Sequence, residues 1–451
     1  MTILDDAAGR LDLLIGRIGE RRLALALVLL CVLLRFAAAL WYKGVEPLAV
    51  ENQMVAVALA EHHGYAGAFR PDSGPTAHTG PVAPLLMAAV YAILGVETPA
   101  AEVVLDLLGA ASIALTFLLA YACFTLLDIG RTSRLLALAF LCVVPMQISL
   151  EGREASVWEF GYVGCALFGL LLIILNADLA GRVRVPVLVG IALGVAALEV
   201  LSPSAGLASA GALGLLLLRR TRWPMWIAIG GLTLLFYVAL TTPWAMRNQR
   251  VLGEPIRSRS SFGLSFAIGF YPGQITNPDE RAANVDRLVA LHPHSQGGPG
   301  YALMNRAGGE VAYNRKLAAE TQAWVRTHRS EAAFIAARNL QNFFFPPPWL
   351  WDRWETGPIR FRTTLRALAT SVMALAGLLT LGWVLWARRW RFLYLAAVSI
   401  LVAAPYIASF ALLRYRFPVG VILTFLAFAG VGMVLSRRRT VAAAIRSTVP
   451  A

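Results

Sequence analysis

Pro81-Val82-Ala83-Pro84-Leu85-Leu86-Met87-Ala88-Ala89-Val90-Tyr91-Ala92-Ile93-Leu94-Gly95-Val96 decides how the rest of the chain is read. The stretch is apolar, opened by Pro81 and Pro84 and closed by Gly95. A helix needs about 20 apolar residues to cross a bilayer, so this one is short for a crossing and long enough for a re-entrant or interfacial helix. If it does not cross, the spans fall near 23–41, 101–127, 134–150, 158–176, 186–201, 204–218, 223–242, 366–387, 392–411 and 417–436. With the N-terminus inside, the short basic loops then all face the cytoplasm: Arg131 and Arg134, Arg182 and Arg184, Arg219 to Arg222, Arg388 to Arg391, and Arg437 to Arg439. Counting 81–96 as a crossing puts every one of them outside. The positive-inside bias selects the first topology, about ten spans with both termini inside.

Composition agrees with an all-α polytopic membrane protein. Of 451 residues, 58% are hydrophobic and 15% charged, and the mean hydropathy is +0.64; soluble domains carry about a quarter charged residues. The net charge of +14 invites a nucleic-acid reading. The basic residues lie in short clusters between apolar runs, with no basic, aromatic-interleaved soluble domain, so the expectation is no nucleic-acid partner. Cys31, Cys123, Cys142 and Cys165 sit in apolar runs without a close-spaced pair and read as small core residues. Arg17, Glu20, Arg21 and Arg22 precede a run of span length with no Ala-x-Ala exit, which reads as an uncleaved first span.

The chain divides into a cytoplasmic amphipathic N-terminus (1–22) and a transmembrane module (23–242) with an outside loop at 43–100. An extracytoplasmic segment (243–365), C-terminal spans (366–436) and a basic tail (437–451) follow. Within 243–365, the part through Gly300 is rich in Gly, Ser, Asn and Pro and reads as loop. From Gly309 to about Phe345 the pattern turns helical, with a break near His328-Arg329-Ser330. Phe343-Phe344-Phe345-Pro346-Pro347-Pro348-Trp349-Leu350-Trp351, with Trp354 beyond, suits an interfacial belt, as Trp41-Tyr42 does at the end of the first span.

The first outside loop opens with Glu51-Asn52-Gln53-Met54-Val55-Ala56-Val57-Ala58-Leu59-Ala60-Glu61-His62-His63-Gly64-Tyr65. Val50, Met54, Val57 and Ala58 recur at helical spacing, predicting a short amphipathic helix on a membrane surface with Glu51 at the water boundary. Other outside carboxylates near span ends are Glu46, Glu151, Glu154, Glu159 and, in the large segment, Glu310. Glu159 begins an apolar run, and an ionisable residue at membrane depth is a functional candidate, the bland reading being an interface marker. Arg247, Arg414 and Arg416 lie on the outside face against the positive-inside bias, where a guanidinium finds carboxylates or lipid phosphates; snorkelling is their alternative.

His62-His63, His78 and His292-Pro293-His294 lack the i, i+4 spacing of a helical zinc site, so no metal ligand is assigned. One or two outside carboxylates leave recruitment of a divalent cation, Mg2+ or Mn2+, open. Gly297-Gly298-Pro299-Gly300 follows no strand and is loop rather than a phosphate cradle.

The run Glu51-x6-Ala58-Leu59-Ala60-x3-Gly64-Tyr65, then Gly74-Pro75-Thr76-Ala77-x3-Pro81-x2-Pro84-Leu85-Leu86 and Leu94-Gly95, resembles the first outside loop of bacterial polyprenyl-phosphate-sugar-dependent glycosyltransferases. These are relatives of the protein O-mannosyltransferases and lipid A aminoarabinose transferases in the C-type (GT-C) membrane superfamily. Val157-Trp158-Glu159, Pro243-Trp244-x2-Arg247-Asn248-x7-Pro255-Ile256-Arg257-Ser258-x3-Phe262-Gly263-Leu264, Gly309-Glu310-x2-Tyr313 and Arg414-Tyr415-Arg416-x-Pro418 are similar too.

The resemblance implies a GT-C-like bundle in the bacterial cytoplasmic membrane, working on the cell envelope with its site facing the periplasm or cell exterior. It implies a polyprenyl-phosphate-linked sugar as donor and a glycan, lipid or protein hydroxyl as acceptor. By the same resemblance Glu51 is the general base, Glu159 and less directly Glu154 place acceptor or donor, and Arg247, Arg414 and Arg416 hold the donor phosphate. His78, Tyr415 and Asn248 belong to the substrate pocket. His78 replaces a Trp common in relatives, and Ser265 and Phe270 replace an expected Glu and Asn, departures that bear on the sugar. A single displacement at the anomeric carbon predicts inversion. The rival classes are a polyprenyl-linked glycan flippase and a scaffold. Against a flippase, few charges lie mid-span apart from Glu199, and no Gly/Pro-broken spans repeat in two halves.

Overall fold

The computed structural model describes residues 15–43, 50–144, 148–295, 297–351 and 359–447. Residues 1–14 of the amphipathic N-terminus, Glu46, Trp354 and the tail from 448 lie outside the described residues. Every described element is helical apart from one isolated bridge between Ala66 and Pro75.

In the transmembrane module the helices are α1 (Glu20–Lys43), α2 (Glu51–Ala60), α3 (Val82–Leu94), α4 (Pro99–Leu126), α5 (Arg131–Val143), α6 (Ile148–Glu154), α7 (Phe160–Leu179), α8 (Val185–Leu201), α9 (Pro203–Arg220) and α10 (Trp223–Leu252). The following segment adds α11 (Phe262–Gly269), α12 (Gly273–Thr276), α13 (Glu280–Leu291), α14 (Gly300–Arg306), α15 (Glu310–Thr327) and α16 (Arg329–Phe344). The chain closes with α17 (Phe361–Trp386), α18 (Leu393–Ile407) and α19 (Phe417–Ser447).

Among the described residues, seven helices are long and apolar enough to cross a membrane, so the chain is a multi-pass membrane protein. The other three expected spans are helices as well, but α5, α8 and α9 are shorter or less apolar. The deciding stretch forms α3, only 13 residues long, between Pro81 and a Gly95 at φ +93° that ends it.

Ion pairs gather the basic loops at one end of the bundle. Fully buried Asp178 accepts from Arg219 at 3.1 Å, Arg220 at 2.8 Å and, from the α17–α18 loop, Arg391 at 3.5 Å. Glu20 at the start of α1 pairs with Arg134 at 2.6 Å. These contacts tie loops that charge bias alone assigns to one side.

Apolar burial contributes little net attraction between helices in lipid, so close packing holds the bundle. Phe124 of α4 stacks on Phe425 of α19 with centroids 4.8 Å apart. Gly109 lets α4 meet the turn before α7, where an added Cβ would lie 2.8 Å from the Ala155 carbonyl carbon. That contact fixes the height at which α7 starts, and so the depth of Glu159.

Two expectations change. The seventh span does not stop at 242: α10 runs through Pro243 to Leu252 and ends at left-handed Gly253, so Arg247 lies within the helix. Nor is 253–300 simply loop, since α11 and α13 form there and are stabilised by packing rather than by length. Leu264, Ala267, Ile268, Leu291, Met304, Tyr313 and Leu317 share one core with Val55, Tyr65, Ala68 and Phe69 of the segment between α1 and α3. The break between α15 and α16 falls at His328, as the sequence predicts.

Among the described helices between 262 and 344, α13 is the one with a side-chain N-cap. The Asp279 side chain accepts from Ala282 N at 3.0 Å at the start of α13. Asp279→Ala is expected to destabilise the protein by about 1 kcal/mol, lowering the thermal midpoint in detergent while Asp279→Asn stays near wild type.

Candidate active site

Glu51 is the first residue of α2, after Val50 in extended conformation, so its carboxylate sits where unpaired helix N–H groups favour negative charge. It is not at the water boundary: Glu51 and Asn52 are buried at 8% and 1% exposure. The apolar face of α2 alone does not set its orientation. Asn52 Nδ2 donates to Val157 O at 2.9 Å and lies 3.5 Å from Glu159 Oε2, partners distant in sequence.

The loop from Tyr65 to Gly80 is clamped from two sides. Arg247 donates to the carbonyls of Thr76 at 2.6 Å and Tyr65 at 2.5 Å, and its guanidinium lies over the Tyr65 and Trp244 rings. Buried Glu310 accepts from Ala77 N at 3.0 Å and from the Thr76 and Ser260 hydroxyls. Burial raises the Glu310 carboxyl, against which those three hydrogen bonds act. So held, the loop presents His78, packed edge-on against Phe69 at 4.7 Å and against His292 at 5.5 Å.

His292 Nε2 lies 3.5 Å from Glu51 Oε1. Burial, reinforced by His292, pushes the His78 imidazole down to about 3. Burial also lowers His292, with Glu51 opposing and His294 and Arg414 adding to the fall. Burial raises the Glu51 carboxyl, and the facing histidines, where they carry a proton, lower it below the ordinary range. At neutral pH the cluster therefore presents one carboxylate and two neutral imidazoles. One ligand atom from each of Glu51, His78 and His292 lies within 4.8 Å of the other two.

Beyond Asn52 the site continues into charge pairs. Glu159 is ion-paired with Arg259, whose guanidinium also donates to Leu201 O at 3.3 Å. Burial of Glu159 is more than offset by Arg259, so its carboxyl stays below the usual range. Arg259 reaches it past Gly80, where a Cβ would meet Nε at 3.2 Å. Arg414 pairs with Glu154 at 3.3 Å and lies over Trp158 at 4.0 Å and Tyr415 at 5.2 Å. Tyr415 itself stacks on Tyr406 at 4.2 Å.

Of the residues singled out in the sequence, Glu51, His78, Glu159, Glu154, Arg414 and Tyr415 thus lie along one connected polar line. Three stand apart from it. Arg247 holds backbone carbonyls, and Asn248 is fully buried between Arg247 and Ile256 O. Arg416 donates to the carbonyls of Phe343 and Phe344 and lines a cavity with Arg35, Glu151, Thr370 and Thr424 that no residue of the Glu51 cluster borders. His292 and Arg259 join the line unforeseen. His292-Pro293-His294 is visible as a motif, but its partners lie on another segment. Arg259 has no signal beyond an arginine two residues after Arg257.

No family model matches the chain, and no curated protein does. Among solved structures it is similar to an archaeal oligosaccharyltransferase, AglB from Archaeoglobus fulgidus, in complex with an inhibitory peptide and a dolichol-phosphate. There the identity is 13% over 97% of this chain and 52% of that one, with a TM-score of 0.49. It is also similar to an Archaeoglobus fulgidus oligosaccharyltransferase tethered to an acceptor peptide containing the NVT sequon, at 14% identity over 94% and 50% of the two chains and a TM-score of 0.43. The chain spans about half the length of these structures. At such scores the likeness leaves function to be argued from the residues.

Proposed function

We propose that this chain is a membrane glycosyltransferase that moves a sugar from a polyprenyl-phosphate donor to an acceptor hydroxyl. The observation that carries the reading is that a buried carboxylate, Glu51, lies within electrostatic reach of Arg414, a guanidinium placed over two aromatic faces along the same polar line. The motif resemblance of the first outside loop supports the same reading.

In the reaction the acceptor oxygen forms a bond to the anomeric carbon as the bond from that carbon to the phosphate oxygen breaks. The electron pair leaves with the phosphate, and the hydroxyl proton passes to Glu51. A carboxylate held ionised is a base available at neutral pH. Arg414 offers fixed positive charge where the leaving phosphate gains negative charge, the arrangement in which electrostatic stabilisation acts most strongly. Arg247 and Arg416 donate to protein carbonyls, so phosphate contact falls to Arg414. Glu159 and Arg259, linked through Asn52 to the helix that carries Glu51, position the base. Attack opposite the leaving phosphate inverts the anomeric centre, and by the charge bias of the loops the transfer takes place on the periplasmic face of a bacterial inner membrane.

The test is mass spectrometry of co-purifying lipid, followed by donor kinetics. Arg414→Ala is expected to strip a polyprenyl phosphate or its sugar ester that wild type retains, and to raise the apparent KM for donor about tenfold or more. Retained configuration in the product overturns the single displacement. Bound polyprenyl lipid without transfer points instead to a flippase.

A further inference from the structure

We propose that Glu51, His78 and His292 form a binding site for one divalent first-row transition-metal ion of the zinc class. Three observations bear on it. The ligand atoms lie within 4.8 Å of one another. Glu51 Oε1 and His292 Nε2 are 3.5 Å apart, close to the ~3.3 Å edge of a tetrahedron whose ligands stand about 2.0–2.1 Å from the metal. The third is an orphan: His78 is buried at 7% exposure, and its Nδ1 has no hydrogen-bond partner among the described residues. A buried polar atom without a partner is costly, and a metal ion in this position satisfies it.

The donor set selects the metal. Two imidazoles and one carboxylate suit zinc and its neighbours, whereas Mg2+ prefers oxygen ligands and retained water. Three protein ligands leave a position open for water or substrate, the pattern of a reactive rather than a structural site. The rings need little rearrangement. His292 Nδ1 accepts from His294 N at 3.3 Å, so loading shifts the ring proton to Nδ1 and gives up one long hydrogen bond. Edge-on packing by Phe69 fixes the plane of His78. With Oε1 on the ion, Glu51 keeps Oε2.

The two histidines come from different outside segments, the first loop and the turn after α13. An ion at this point pins those segments together where they form the shared core under α2. Occupancy rests on this geometry alone; only its effect on sugar transfer rests on the proposed transferase reading.

The experiment uses the full chain in detergent, stripped with chelator and titrated with Zn2+, with Mg2+ as the contrast and elemental analysis after dialysis. The expected result is one retained equivalent of zinc. His292→Gln and His78→Asn are expected to lower the affinity by more than the about 10–100-fold typical of losing a supporting partner alone. A His62→Ala/His63→Ala double variant, altering exposed histidines outside the cluster, is expected to keep it. Size-exclusion profile and thermal midpoint establish that each variant folds. Cobalt loading gives a readout independent of activity: the intense visible band of a low-coordinate ion is expected in wild type and altered in Glu51→Gln. No retained equivalent, or zinc binding unchanged in both histidine variants, overturns the site. Zinc bound without sugar transfer from any polyprenyl donor leaves the site standing and removes the transferase.

Discussion

Glu51→Gln is expected to lower turnover by about 10²–10⁴-fold, while the apparent affinity for donor lipid stays within a few-fold of wild type. The substitution keeps the volume of the side chain and its place in the first turn of α2 while replacing the proton-accepting carboxylate with an amide. The separation of the two readouts follows from the structure, because the guanidinium assigned to the donor phosphate pairs with Glu154 rather than with Glu51. Steady-state kinetics with lipid-binding measured alongside checks it. Equal loss of turnover and donor binding would make Glu51 a structural residue of the His78–His292 cluster. Glu51→Asp sharpens the test: the base survives one methylene too far back, so partial activity is expected, below wild type and above the glutamine variant.

The helices were legible wherever pattern and punctuation agree. α3 shows its length in Pro81 and Gly95, and the α15–α16 break shows in His328-Arg329-Ser330. What stayed hidden is stabilised by distant partners. α11 is eight residues long in a stretch rich in Gly and Ser, and it packs so tightly on α15 that a Cβ on Gly263 would lie 1.9 Å from Asn314 O. No local propensity announces a helix of that kind. The orientation of α2 is not set by its own sequence, for a related reason. Its apolar residues suggest which face is buried, yet Asn52 finds Val157 O, and Glu51 finds His292, only once the chain is folded.

The site divides along the same line. Residues that break a local rule, such as a carboxylate at the head of an apolar run or arginines on the outer side of a span, drew attention in the sequence, and Glu159 and Arg414 lie on the polar line. Arg247 and Arg416 break the rule equally well and are used as clamps on backbone carbonyls. Position against the charge bias marks an arginine as having a fixed partner; it does not distinguish a ligand from a carbonyl.

The Glu159–Arg259 pair offers the second large effect. Glu159→Gln leaves the Arg259 guanidinium largely enclosed with, among the described residues, the Leu201 carbonyl at 3.3 Å as its remaining hydrogen-bond partner. Removing one member of a fully buried pair costs about 3–5 kcal/mol; Arg259 and Glu159 retain 24% and 14% side-chain exposure, so about 2–3 kcal/mol is expected. Thermal unfolding in detergent measures it. The double variant Glu159→Gln/Arg259→Met removes the stranded charge as well and is expected to recover most of the loss, since two uncharged side chains of similar volume carry no unpaired ion. Turnover is expected to separate from stability. Asn52 reaches from the helix of Glu51 towards the Glu159 carboxylate, so the double variant regains its fold with a neutral amide in place of the charged acceptor that helps to aim α2. A refolded but slow enzyme, with kcat depressed more than KM, identifies the pair as positioning the base. A double variant restored in both stability and rate would confine the pair to holding the outside loops together.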